Sequence, residues 1–142
     1  MRIALDLAKE SFDFEEVPVG AVVVKDKKII GKGRNRVIAD NDVSSHAEIN
    51  AIRNASAANR NYRLNDCVMY VTLEPCHMCA KAIVDARICS VIFGCSEPKT
   101  GSIISIDNFF DKNELNHNPE YQNGLFKEES SKLLKDFFSL RR

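Results

Sequence analysis

The sequence predicts an α/β sandwich built on a mixed β-sheet. Two apolar runs, VGAVVV (19–24) and IIGKGRN (29–35), flank the polar turn KDKK (25–28) and read as a hairpin. Helical and extended patterns then alternate to the end of the chain, which puts helices against a sheet rather than into a bundle. With 142 residues, 44% of them hydrophobic, the chain fits one compact domain over 1–142 that can bury its own core.

Taken in order, residues 3 to 14 form a helix with Ala4, Leu7, Ala8 and Ser11 or Phe12 on one face. The hairpin follows, and its glycines predict a bulge or a close approach of backbone to backbone. Ser44 and Ser45 are placed to cap a helix from His46 to Ala57. CVMYVTL (67–73), rich in β-branched and aromatic residues, is a strand. Pro75 suits the first turn of the next helix, through CHMCAKAIVDA, because that position does not use an amide hydrogen. SVIFG (90–94) is a buried strand. Residues 95 to 120 read as irregular with one short helix. A last amphipathic helix over 125–138 turns Leu133, Leu134, Phe137 and Phe138 to its apolar side.

No stretch reaches the ~18 apolar residues of a membrane span. The opening MRIALDLAKESFDFEE carries acids where a signal peptide needs an apolar core, so the cytoplasm is the expected compartment. Twenty basic and twenty acidic residues cancel, so net charge gives no support for a nucleic-acid partner. Two segments are locally basic: Lys25, Lys27, Lys28, Lys32, Arg34 and Arg36, then Arg53, Arg60 and Arg63. They are solvated faces unless they flank an active site. Five cysteines in such a chain point to metal binding or catalysis rather than disulfides. Cys67, Cys89 and Cys95 lie in or beside apolar runs and read as small buried hydrophobes.

Chemistry concentrates in two motifs, His46-Ala47-Glu48 and Pro75-Cys76-His77-Met78-Cys79. Each sits where a helix begins, and a helix N-terminus favours thiolates. Cys76 and Cys79, three apart, can grip one ion, and His46 would add a third ligand while His77 points away. Three protein ligands leave one tetrahedral position for water, the arrangement of a catalytic zinc. Two thiolates acidify that water less than imidazoles do, so a proton acceptor is needed, and Glu48 stands beside the open position. Each motif has a plainer reading. Ser45 to Glu48 fits an S-x-x-E capping box, C-x-x-C fits a thioredoxin-type redox pair, and His46 alone fits a surface histidine. All three plain readings together require coincidence in spacing, order and local structure.

With H-x-E and P-C-x-x-C placed, the sequence resembles the cytidine-deaminase-like zinc enzymes. EVPVGA (16–21), HAEI (46–49), NYRL (61–64), YVTLEPC (70–76), MCA (78–80), FG (93–94), KTG (99–101), Asn116-His117 and DFFSLRR (136–142) narrow this. They resemble the bacterial tRNA-specific adenosine deaminases across nearly the whole chain. The resemblance implies a three-layer α/β/α fold with a central mixed five-stranded sheet, one Zn2+ per subunit and a homodimer. It implies hydrolytic conversion to inosine of a flipped-out wobble adenosine in the anticodon loop of an arginine tRNA. His46, Cys76 and Cys79 match the zinc ligands and Glu48 the proton shuttle. Asn35 and Ala47 match substrate-contacting positions, and Lys99, Asn116, Phe138 and Arg141 are further candidates. Three departures from the family pattern stand out: Glu97 replaces the usual Asp near the substrate backbone, in 117–123 the expected edge strand is barely visible, and the first helix starts at Met1 without a leading segment. A nucleobase or nucleoside deaminase for guanine, cytosine or cytidine would use the same zinc and glutamate. A zinc-stabilised binding module without catalysis is the rival from another class, opposed by the missing fourth protein ligand.

Overall fold

A computed structural model describes all residues from Met1 to Arg142. Five strands form one sheet in the order β2-β1-β3-β4-β5. They are β1 (Gly20–Lys25), β2 (Lys28–Arg34), β3 (Cys67–Leu73), β4 (Ser90–Cys95) and β5 (Glu120–Asn123). β1 is antiparallel to β2 and β3, while β3, β4 and β5 run parallel, so the sheet is mixed as expected. The helices are α1 (Arg2–Asp13), α2 (Val37–Asp40), α3 (Ala47–Asn59), α4 (His77–Asp85) and α5 (Lys127–Ser139).

Alternation along the strands sorts the helices into two outer layers. Ala21, Val23, Met69, Val71, Val91 and Phe93 point one way and join Ala47, Ala51 and Ala55 of α3 with Ala80, Ile83 and Val84 of α4 in the main core. The opposite face receives α1 and α5. A Cβ on Gly20 would meet the Ala4 carbonyl of α1 at 2.0 Å, and one on Gly94 would meet Ser130 Oγ of α5 at 2.6 Å. On the core face, a Cβ on Gly33 would lie 2.2 Å from the Ala47 carbonyl. The hairpin glycines therefore let helix and strand backbones touch. The bulge is present too, because Val23 pairs with Gly31 and Val24 with Ile29, leaving Ile30 as the extra residue. At the hairpin tip Asp26 and Lys27 both take left-handed φ, 50° and 64°, the signature of a type I′ turn.

Several sequence expectations shift. In α1 the buried face is Ala4, Leu5, Ala8 and Ser11, with Leu7 and Phe12 half-buried. Neither Ser44 nor Ser45 caps α3: His46 is the N-cap residue, and Ser45 Oγ instead donates to Asp40. Pro75 precedes α4 rather than entering it, since Cys76 is its N-cap. Phe138 is 48% exposed, so only Phe137 packs inward near the end of α5. Cys67 and Cys95 are buried, whereas Cys89 is exposed. The edge strand exists: β5 pairs with β4 from Ser90↔Glu120 to Phe93↔Asn123. The short helix in the long connection is a 3-10 turn at Phe109–Asp111. No helix is long and apolar enough to cross a membrane.

Candidate active site

The sheet delivers two helix starts to one place. β2 ends at Arg34, and β3 ends at Leu73 just ahead of Pro75 and Cys76. Because β1 is antiparallel to both neighbours, these two ends lie together. His46 and Cys76 each hold an extended backbone as the N-cap of α3 and α4, and neither helix start has a side-chain cap from that residue. Both side chains are thus free to turn toward each other.

His46 Nδ1 lies 3.7 Å from Cys76 Sγ and 3.5 Å from Cys79 Sγ, and the three donor atoms fall within 4.8 Å of one another. Tetrahedral zinc with bonds of ~2.3 Å to sulfur and ~2.0 Å to nitrogen requires nitrogen–sulfur edges of about 3.5 Å. The triangle therefore matches zinc in both donor type and size. No other group of three His, Cys, Asp or Glu side chains converges in this way. His77 turns outward and its Nε2 meets Asp107 at 2.8 Å.

Glu48 is 4% exposed and takes no part in a capping box. Burial drives its carboxyl up to about 7, among the protein's own groups alone. A carboxyl balanced near neutrality can both accept and release a proton. Cys76, hydrogen-bonded by Cys79 and also by His46, is held down to about 4 despite its burial. Cys79 is pushed up by that same partner and by burial, and His46 is raised chiefly by its bond to Cys76.

A cleft of about 500 Å³ opens onto these groups. His46, Glu48 and Cys76 line it, with Asn35, Phe138 and Arg141 among the other predicted residues. Asn35 Oδ1 accepts the amide hydrogen of Ala47 at 2.8 Å, so the α3 N-terminus is capped from twelve residues upstream. Its Nδ2, with no protein partner, is left toward the cleft. The guanidinium of Arg141 stacks 3.5 Å from the Phe137 ring centre. Lys99 sits in an adjoining trough with Lys135, Arg141 and Arg142, where Glu97 is the single acid.

Two expectations do not meet the cleft. Asn116 lies in the loop before β5, next to His117, whose Nε2 contacts the Ile88 carbonyl below the start of β4. That is the far end of the strands from Cys76. Lys25, Lys27 and Lys28 also sit at the far end, since Lys25 pairs with Cys67 at the beginning of β3. Arg60 and Arg63 follow the C-terminus of α3, again remote from His46. Arg34 and Arg36 are at the near end but pair with Glu10 and Asp40. The basic charge that adjoins the cleft comes instead from the 99–100 loop and the end of α5.

The sequence reading missed two buried glutamates. Glu16 Oε1 accepts the amides of Ile38 and Ala39 at 2.9 and 2.8 Å and so holds α2 at the cleft edge. Glu74 is 2% exposed and accepts the amides of Glu97, Ile104 and Ser105, plus the Ser105 hydroxyl. Burial alone would raise its carboxyl, but these four hydrogen bonds outweigh that and hold it below the usual carboxylate range. The available signal was an acid at each strand boundary, in EVPVGA and TLEP, where a solvated loop residue is the ordinary expectation.

Comparison with known proteins adds kinship to geometry. The model of the MafB19-like deaminases matches residues 1–142. A tRNA-specific adenosine deaminase of Haemophilus influenzae is 48% identical, over 100% of this chain and 83% of that protein. A solved structure from biochemical and structural studies of A-to-I editing by tRNA:A34 deaminases at the wobble position of transfer RNA is 42% identical. It superimposes with a TM-score of 0.92 over 94% of this chain and 97% of its own. Guanine deaminase from Bacillus subtilis is 34% identical with a TM-score of 0.65, over 99% of this chain and 90% of its own.

Proposed function

The chain belongs to the MafB19-like deaminase family, and from that premise we propose that it converts the wobble adenosine of a tRNA anticodon loop, in an arginine tRNA, to inosine by hydrolysis. The observation that carries this reading is the His46–Cys76–Cys79 triangle with buried Glu48 beside it on the floor of a cleft. Kinship supports the substrate: the tRNA deaminase relative and the wobble-editing structure exceed the Bacillus subtilis guanine deaminase in identity, and the wobble-editing structure also exceeds it in TM-score.

A zinc ion suits the triangle and, held by His46, Cys76 and Cys79, would acidify water and so supply the nucleophile for C6 of adenine. Glu48 is placed to take one proton from the attacking water and deliver it to the ring nitrogen beside C6. It then carries the remaining proton of the new C6 hydroxyl to the amino group, which leaves as ammonia while the C6 oxygen stays as the carbonyl of inosine. Asn35 donates from Nδ2 to the base or its ribose, and the Ala47 backbone at the start of α3 borders the same space. The adenine must leave its stack to reach this depth, which costs least in a single-stranded loop. Phe138, exposed at the mouth, offers a platform for a neighbouring base. Lys99 and Arg141, with Lys135 and Arg142, face the phosphates from the adjoining trough. Asn116, at the far end of β4, is left out of this contact set. A homodimer and a cytoplasmic location belong to the same reading through kinship.

Incubating the purified protein with an anticodon stem-loop and mapping inosine tests the proposal. Inosine at the wobble position, with little turnover of free adenosine, is the expected result. Guanine turned over as well as or better than RNA would overturn it.

A further inference from the structure

The connection from β4 to the 3-10 turn has little regular structure of its own. Between Ser96 and Asn108 it makes one isolated bridge, Cys76↔Gly101, and a few backbone bonds such as Ser102 to the Pro75 carbonyl at 2.9 Å. Glu97 and Thr100 from this connection form a wall of the cleft, and Lys99 lines the trough beside it. What gathers these residues is a single carboxylate. Glu74 Oε2 takes the amide of Glu97 at 2.9 Å and the Ser105 hydroxyl. Its Oε1 takes the amides of Ile104 and Ser105 at 2.7 and 2.9 Å. Donors on both sides of the loop thus converge on one buried group.

The fit leaves no slack. A Cβ on Gly101 would fall 2.2 Å from Glu74 Oε2, so the loop backbone closes directly over the carboxylate. Glu74 is also only two residues from Cys76, which starts α4. The same short segment therefore carries a proposed zinc ligand and the anchor of the outer wall. The donors answered by Glu74 are partly buried and have no other acceptor in the loop, and a poorly solvated unpaired amide is costly.

We propose that Glu74 is a positioning residue, which sets the distance between the 97–105 wall and the reacting centre and thereby governs how RNA is seated without touching it. This deepens the reading of the site and rests on it for its kinetic arm. Glutamine at this position keeps one acceptor oxygen and presents an N–H₂ to donors on the other side. Aspartate keeps the charge but falls one methylene short of all four donors.

The test compares the zinc-loaded parent with Glu74→Gln, Glu74→Asp and Ser105→Ala. Two readouts are taken: amide hydrogen exchange across residues 96–108, and KM and kcat on an anticodon stem-loop. In Glu74→Gln, exchange at Glu97, Ile104 and Ser105 should accelerate by about tenfold or more, with KM rising by a similar factor, kcat changing less, and zinc content unchanged. Aspartate, which falls short of all four donors, should move both readouts at least as far as glutamine. Ser105→Ala, which removes one hydroxyl donor and leaves the carboxylate, should move both readouts two- to threefold in the same direction and covers the case in which Glu74→Gln does not fold. Parent-like exchange and KM in the folded variants would overturn the proposal, as would loss of zinc or a fall in kcat alone. Exchange needs no substrate, so a failure of the RNA assignment shows as an inactive parent and leaves the exchange result to stand by itself.

Discussion

The two ends of the sheet carry different kinds of charge. At the end where β3 and β4 finish, ionisable groups are buried and committed: Glu48, Glu74 and Glu16 are 4%, 2% and 2% exposed. At the other end Lys25, Lys27 and Lys28 surround an exposed hairpin tip with no buried acid among them. A count along the sequence makes the second region look like the nucleic-acid surface, because its charges are consecutive. Strand direction decides otherwise. The antiparallel β1–β2 hairpin carries its lysines away from the catalytic end, and the basic trough is assembled from α5 and the loop before Gly101. Local charge density is not a map of a surface.

The contrast breaks most completely if the metal is removed. Chelation should abolish deamination, and zinc should restore it, whereas exchange of the hairpin tip should not respond. Glu48→Ala comes next, with a loss in kcat of about 10²–10⁴-fold, as expected for a proton shuttle. Zinc content by elemental analysis and the circular dichroism spectrum should stay at parent values. If that variant kept turnover, the proton path through Glu48 would be wrong. Gly33→Ala probes the link between the sheet and the site, because its Cβ would collide with the Ala47 carbonyl at 2.2 Å. Overpacking of this kind costs about 1–3 kcal/mol, read as a fall in the denaturation midpoint. Arg141→Ala should weaken RNA binding modestly and reduce the slope of log affinity against log salt by about 1. Replacing both Lys27 and Lys28 by alanine should leave that slope unchanged. A drop equal to that of Arg141→Ala would put the RNA across the wrong end of the sheet.

Much of this was legible before the structure. β3 reads correctly from Cys67 to Leu73 because every position favours a pleated, half-buried surface. His46, Glu48, Cys76 and Cys79 were legible because their spacing is local even though their meeting is not. β5 was hard to see because EYQN offers one large apolar side chain. The strand is held by its pairing with β4 and by Tyr121 lying near Phe110, neither of which is local. The helix cap failed for a related reason. Ser45 is engaged by Asp40, and the amide of Ala47 finds Asn35 across the end of the sheet. Glu74 was invisible because its partners lie 23 to 31 residues away.

Asn35 has a further consequence. Its oxygen is committed to the Ala47 amide, so its planar head group cannot turn over without uncapping α3. In the proposed binding mode a heterocycle entering the cleft would meet an Asn35 N–H donor whose orientation is already set by the start of α3, which would favour a ring edge carrying lone pairs over one carrying hydrogens.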